Sequence, residues 1–178
     1  MRHGGRTARI LGLTIACGLA AANAAAEEEQ RTYHDPFAWC AAVGTADAPD
    51  ARYAGPPVPA AVARGLQKAF GVPATESLAP FERGTSWRCM DGAVYACNVG
   101  ANLPCDAKPA ADPAPTDAMR TWCAENRDAD FIPMYVTGHD TVYAWSCADG
   151  SPRRGRQTAP LDARGYVASI WHRIEPPH

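Results

Sequence analysis

Most of the short signatures of enzymatic chemistry are missing from this 178-residue chain. Without a Cys-x-x-Cys there is no thioredoxin-like redox pair, and without Cys-x-x-Cys-His there is no covalent haem attachment. Gly-x-Ser-x-Gly, His-Glu-x-x-His and Gly-Lys-Ser/Thr are absent as well, which argues against the common serine hydrolase, zinc hydrolase and phosphate-loop designs. Positive charge is scarce. Of the 17 Lys and Arg, three fall in residues 1–26, whereas all 19 Asp and Glu lie beyond, leaving 14 basic against 19 acidic residues, a net charge of −5. Such a chain has no basic stripe for phosphates, so nucleic acid is not expected as a partner. Beyond residue 26 no apolar run approaches the length of a transmembrane helix.

What is present begins with Arg2, Arg6 and Arg9, followed by the apolar run "ILGLTIACGLAAANAAA". A charged start, a short apolar middle and an Ala-x-Ala exit are the parts of a secretory signal peptide, so residues 1–26 are read as a leader cleaved after Ala24 or Ala26. The expected location is the periplasm or the exterior. An uncleaved anchor and a lipoprotein acylated at Cys17 are the alternatives, but "LTIA" puts Thr14 where a lipobox has Leu.

Six cysteines follow the leader: Cys40, Cys89, Cys97, Cys105, Cys123 and Cys147. An even number in an exported chain predicts disulfides, and six cysteines allow 15 pairings. Internal repetition narrows them. "AWCAAVGTADAP" from Ala38 matches "TWCAENRDADFIP" from Thr121 at Trp39/Trp122, Cys40/Cys123, Ala41/Ala124, Ala46/Ala129 and Asp47/Asp130, and each segment is followed by one Trp-x-Cys-x-Asp-Gly, at Trp87 and at Trp145. A duplicated unit therefore spans 27–105, enlarged by an insertion, and 117–178, with the Pro/Ala-rich linker 106–116 between; 27–178 together suit one compact domain.

Each copy opens with a helix signal. Asp35 caps Pro36 and Gly44 stops the first helix, with Phe37 and Cys40 on one face; Thr116 caps the second, which groups Met119, Trp122 and Cys123. Each copy continues into a strand, such as "TVYAWSC" with Tyr143, Trp145 and Cys147 on one face, and into an Asp-Gly hairpin turn. Bonding the helix cysteine of each copy to its strand cysteine gives Cys40–Cys89 and Cys123–Cys147, leaving Cys97–Cys105. In the insertion, Ala61, Val62, Leu66 and Phe70 are at helical spacing, although Gly65 weakens the helix, and "RQTAPLDARGYVASIWHRI" reads as two further strands turning near Asp162 to Gly165 and continuing the second hairpin. The expected fold is α+β: a duplicated helix-plus-antiparallel-hairpin unit, short helices on β-sheet, three disulfides.

Few residues invite a functional role. Arg153, Arg154 and Arg156 in "SPRRGR" form the one dense basic cluster, a contact for an anion or an acidic partner as well as a solvated hairpin end. His139, beside Asp140, and His172 are the candidate bases of a small hydrolase, although a turn histidine and a packed strand histidine are the plainer roles. Cys89, Cys97 and Cys105 with Met90 make a metal carrier only as free thiols. No cofactor is called for.

At "WRCMDGAVYACNVGANLPC" and "DADFIPMYVTGHDTVYAWSC" the chain resembles a family of uncharacterised small exported bacterial cysteine-containing proteins. The resemblance carries no activity and no functional residues. One hairpin per copy is also similar to periplasmic lysozyme inhibitors, whose strands carry aromatic-x-Cys followed by an acidic residue and Gly; this implies a partner class, an envelope or extracellular protein. The expected function is a non-enzymatic, disulfide-stabilised binding or inhibitor-like module, with the small periplasmic hydrolase as the alternative.

Overall fold

The computed structural model describes Met1 and residues 31–98, 104–110 and 114–177; the leader and both cleavage points lie outside the described residues. Helix α1 (Pro36–Val43) forms where expected: the Asp35 carboxylate accepts from the Phe37 amide at 2.9 Å, Pro36 occupies the first turn, and Gly44 ends the helix at φ +74°. Its buried face carries Trp39 and Cys40, both without solvent contact, while Phe37 is only half-buried at the rim. Helix α2 (Ala60–Ala69) buries Val62, Ala63, Leu66 and Gln67. Gln67 is tolerated there because its amide donates to the carbonyls of Pro73 and Glu76, at 3.1 and 3.2 Å. A third short helix, α3 (Ala79–Gly84), leads directly into the first hairpin.

That hairpin pairs β1 (Thr85–Met90) with β2 (Ala93–Asn98), antiparallel, across Asp91-Gly92. A second unit follows, with α4 (Asp117–Glu125), the single turn α5 (Met134–Thr137), and β3 (Tyr143–Ala148) paired with β4 (Ser151–Gln157) across Asp149-Gly150. Both turn residues have positive φ in each hairpin, 51° and 77°, the two-residue geometry that Asp-Gly supplies with least strain. Thr116 caps α4, its hydroxyl accepting from the Met119 amide at 3.2 Å.

Three disulfides join Cys40 to Cys89, Cys97 to Cys105 and Cys123 to Cys147, the two helix-to-strand pairs and the remaining pair expected from the sequence. Around the two helix-to-strand disulfides three hydrogen bonds correspond. Cys89 donates to Ala46 at 2.9 Å as Cys147 does to Ala129 at 2.8 Å, and Gly92 to Gly44 at 2.8 Å as Gly150 to Arg127 at 2.9 Å. Asp91 donates to the Thr45 hydroxyl as Asp149 does to the Asp128 carboxylate, both at 3.1 Å.

The chain end departs from expectation. After β4 it turns at Asp162–Gly165, as anticipated, but only Leu161 and Val167 bridge across that turn. A short 3-10 turn (Ala168–Ile170) then leads to β5 (His172–Ile174), which pairs with β2 of the first hairpin rather than extending the second. The sheets are accordingly β1-β2-β5 and β3-β4. The physical reason is burial: Ile174 enters the first unit's core with Trp39, Val62, Leu66 and Val94, whereas β4 is almost wholly exposed.

Returning the chain end to the first unit brings together a polar clamp. Arg88, fully buried on β1, is ion-paired with Asp162, and its guanidinium lies 4.3 Å from the ring centres of both Tyr166 and Trp171. The aromatic faces cover Nε and one terminal nitrogen that have no hydrogen-bond acceptor among the described residues. Burial pushes the Asp162 carboxyl up, but bonds from Arg88 and from the Tyr166 and Arg164 amides outweigh it and hold it below the usual carboxylate range. Beside it, Asp47 is held low by Arg164 and then by Lys108, against the opposing effect of burial. Lys108 belongs to the Pro/Ala-rich connection, which is thereby fastened: Lys108 also sits 4.8 Å over the Tyr166 ring, and Ala110 donates to Asp140 at 3.0 Å.

Candidate binding cleft

Between α4 and β3 the second unit needs only a short connection, Asn126 to Val142, where the first has its long insertion. The start of this connection runs along the free edge of β3, with Ile132 donating to the Trp145 carbonyl at 2.8 Å, and buries Ile132 against Met119, Cys123, Trp145 and Cys147. Pro133 then starts α5, and Gly138, at φ +83°, reverses the chain. The connection is held at both ends: Ala129 and Ile132 bond to β3, and the Val142 carbonyl accepts from the Thr158 amide at 2.7 Å.

Three exposed side chains on this connection are large and apolar. Phe131 is 68% exposed, Met134 48% and Tyr135 82%, three of the five large hydrophobic residues exposed among the described residues. Phe131 and Met134 border a cleft of about 350 Å³ also lined by His139, Thr141, Tyr143 and Trp145, and Tyr135 follows Met134 on the same turn.

Arg154 on β4 lies over Tyr143, one of the lining residues, its guanidinium 5.0 Å from the ring centre. The arginines of "SPRRGR" occupy a strand rather than a hairpin end. Pairing of Arg154 with Trp145 and of Arg153 with Ser146 sends neighbouring side chains to opposite faces, and a bulge adds one residue to β4 between that pair and Tyr143–Gln157. The cluster is thus divided, and Arg154 is the member that lies over the Tyr143 ring.

His139 lines the cleft, whereas His172 lies on β5 in the first sheet, its ring edge-on to Phe70 with centres 5.0 Å apart. No hydrogen bond or ion pair joins His139 to Asp140 among the described residues, and Asp140 lends its carbonyl to Ala110. The cleft hydroxyls have structural bonds: Thr141 accepts from the Trp145 indole at 3.0 Å and the Tyr143 amide at 3.2 Å, and Thr137 donates to the Gly138 carbonyl at 3.1 Å. Cys89, Cys97 and Cys105 are all oxidised, so the thiols a metal carrier requires are bonded to other sulfurs. The exposed Phe131-Met134-Tyr135 group was missed by sequence reasoning; its signal was an apolar "FIPMY" interrupted by proline, which blocks a continuous buried strand or helix. No protein-family model, curated protein or solved structure matches this chain.

Proposed function

We propose that this is an exported, non-enzymatic binding module in which two copies of a disulfide-bonded helix–hairpin unit form a rigid scaffold, and that the cleft bordered by Phe131 and Met134, with the exposed Tyr135 on the same turn, takes a segment of an envelope or extracellular protein. The observation that carries the reading is the exposure of these three side chains on a connection bonded at both ends. Export is supported by the leader-like residues 1–26 and by three disulfides, which persist in oxidising compartments. The duplication is supported by the matched bonds around Cys89 and Cys147. Pairing of an exposed aromatic surface with Arg154 favours a partner segment carrying an apolar anchor next to a carboxylate, since aromatic and arginine side chains dominate recognition energetics.

The test is selection from a random peptide library with the oxidised protein as bait. Peptides with an apolar–acidic pair are expected, and their affinity should fall by about tenfold or more in Phe131→Ser/Met134→Ser, where each lost anchor costs at least ~1 kcal/mol. Turnover of ester, peptide or glycan probes that disappears in His139→Ala would overturn the reading in favour of a small hydrolase.

A further inference from the structure

A second cavity lies on the other unit, between α2 and the chain end. It encloses about 470 Å³, within the range of small-ligand sites, and is floored by Ala61, Gly65 and Ala69 of α2 and walled by Pro176 and Pro177. Its rim is cationic: Arg64, Lys68 and Arg173 against Glu175 alone. Arg173 and Glu175 bind each other at 3.4 Å, while Arg64 and Lys68, one helical turn apart, have no ion pair or hydrogen bond among the described residues. Adjacent like charges at this spacing weaken a helix. On a chain that is acidic overall, keeping two uncompensated cations at the mouth of an apolar groove is a local reversal of charge that folding does not require.

We infer that this groove is a ligand site for a small anionic amphiphile, an acidic headgroup bound by Arg64 and Lys68 with its apolar body laid along Ala61, Gly65 and Ala69 under Pro176 and Pro177. The small residues leave the groove open, and Gly65 has a further constraint, since Ile174 occupies the space its side chain would need. A purely ionic ligand leaves the apolar floor unused, and a neutral apolar one leaves the cations without a role. This site is separate from the Phe131 cleft, so either proposal can fail without the other.

The probe is dodecanoate below its micelle concentration, titrated calorimetrically into the oxidised protein. Saturable one-to-one binding is expected, weakened about tenfold or more in Arg64→Glu/Lys68→Glu and at high salt, with dodecanol failing to compete. Ala69→Trp, at an exposed position, should block the groove with the charges intact; unchanged circular dichroism verifies that both variants fold. Sedimentation with phosphatidylglycerol vesicles, lost in both variants, assigns the headgroup to a membrane lipid, and dodecanoate binding without sedimentation assigns it to a free amphiphile. Failure of both probes to bind, or binding that the two variants leave unchanged, overturns the site.

Discussion

Gly65 separates what a local reading supplies from what packing adds. In the sequence it is a defect in a helix, worth about 1 kcal/mol against alanine. In the fold, a β-carbon placed there would overlap Cγ2 of Ile174, and that side chain is β-branched and 2% exposed, so it cannot swing clear. Gly65→Ala is therefore expected to lower stability by about 1–3 kcal/mol despite the better helix former, measured as a reduced midpoint in urea. An unchanged or raised midpoint would mean that β5 does not press on α2. Arg88 carries the same lesson. Between Trp87 and Cys89, strand alternation alone assigns it to solvent, and only the return of Tyr166 and Trp171 from the chain end covers it. Glycine at a close approach and a buried cation both answer to residues distant in sequence, which is why neither could be read locally.

The helices and hairpins were the more readable level, because their determinants are adjacent in the chain. Asp35-Pro36, Thr116 and the two Asp-Gly turns each act within a few residues and form as expected. Cysteine pairing followed from repetition rather than spacing. The chain end was misassigned because strand-like composition does not say which edge a strand joins; burial of Ile174 decides it. The disulfides make a graded prediction. Their sequence separations are 49, 24 and 8 residues. If restriction of the unfolded chain dominates, removing Cys40–Cys89, Cys123–Cys147 and Cys97–Cys105 costs roughly 4, 3.5 and 2.5 kcal/mol in that order. Double alanine variants compared by denaturation test the ranking, and a largest loss for Cys97–Cys105 would show that native contacts, not loop length, control it.

For the molecule as a whole, the clamp of Arg88, Asp162, Tyr166 and Trp171 ties the chain end to the first unit, with Asp47, Lys108 and Arg164 beside it. Arg88→Met strands a buried carboxylate and is expected to cost about 3–5 kcal/mol, whereas Arg88→Met/Asp162→Asn should recover much of it, because the amide oxygen still accepts from the Arg164 and Tyr166 N–H groups. Equal losses in the single and double variants would assign the effect to packing. The pH dependence follows from the same carboxylates. Asp47 and Asp162 titrate lower in the folded than in the unfolded chain, so their stabilisation is complete above the ordinary carboxylate range, near pH 4, and is lost as pH falls through the folded values. The melting temperature should fall on acidification below about pH 4, and less steeply in Asp162→Asn. The central claim, that the cysteines are scaffold and recognition belongs to the surface they hold, is tested most directly by non-reducing peptide mapping of the native protein with its intact mass. The account predicts Cys40–Cys89, Cys97–Cys105 and Cys123–Cys147 linked peptides and a mass short by six hydrogens without adduct. Free thiols or a bound metal ion would contradict it and move the active chemistry to the cysteines.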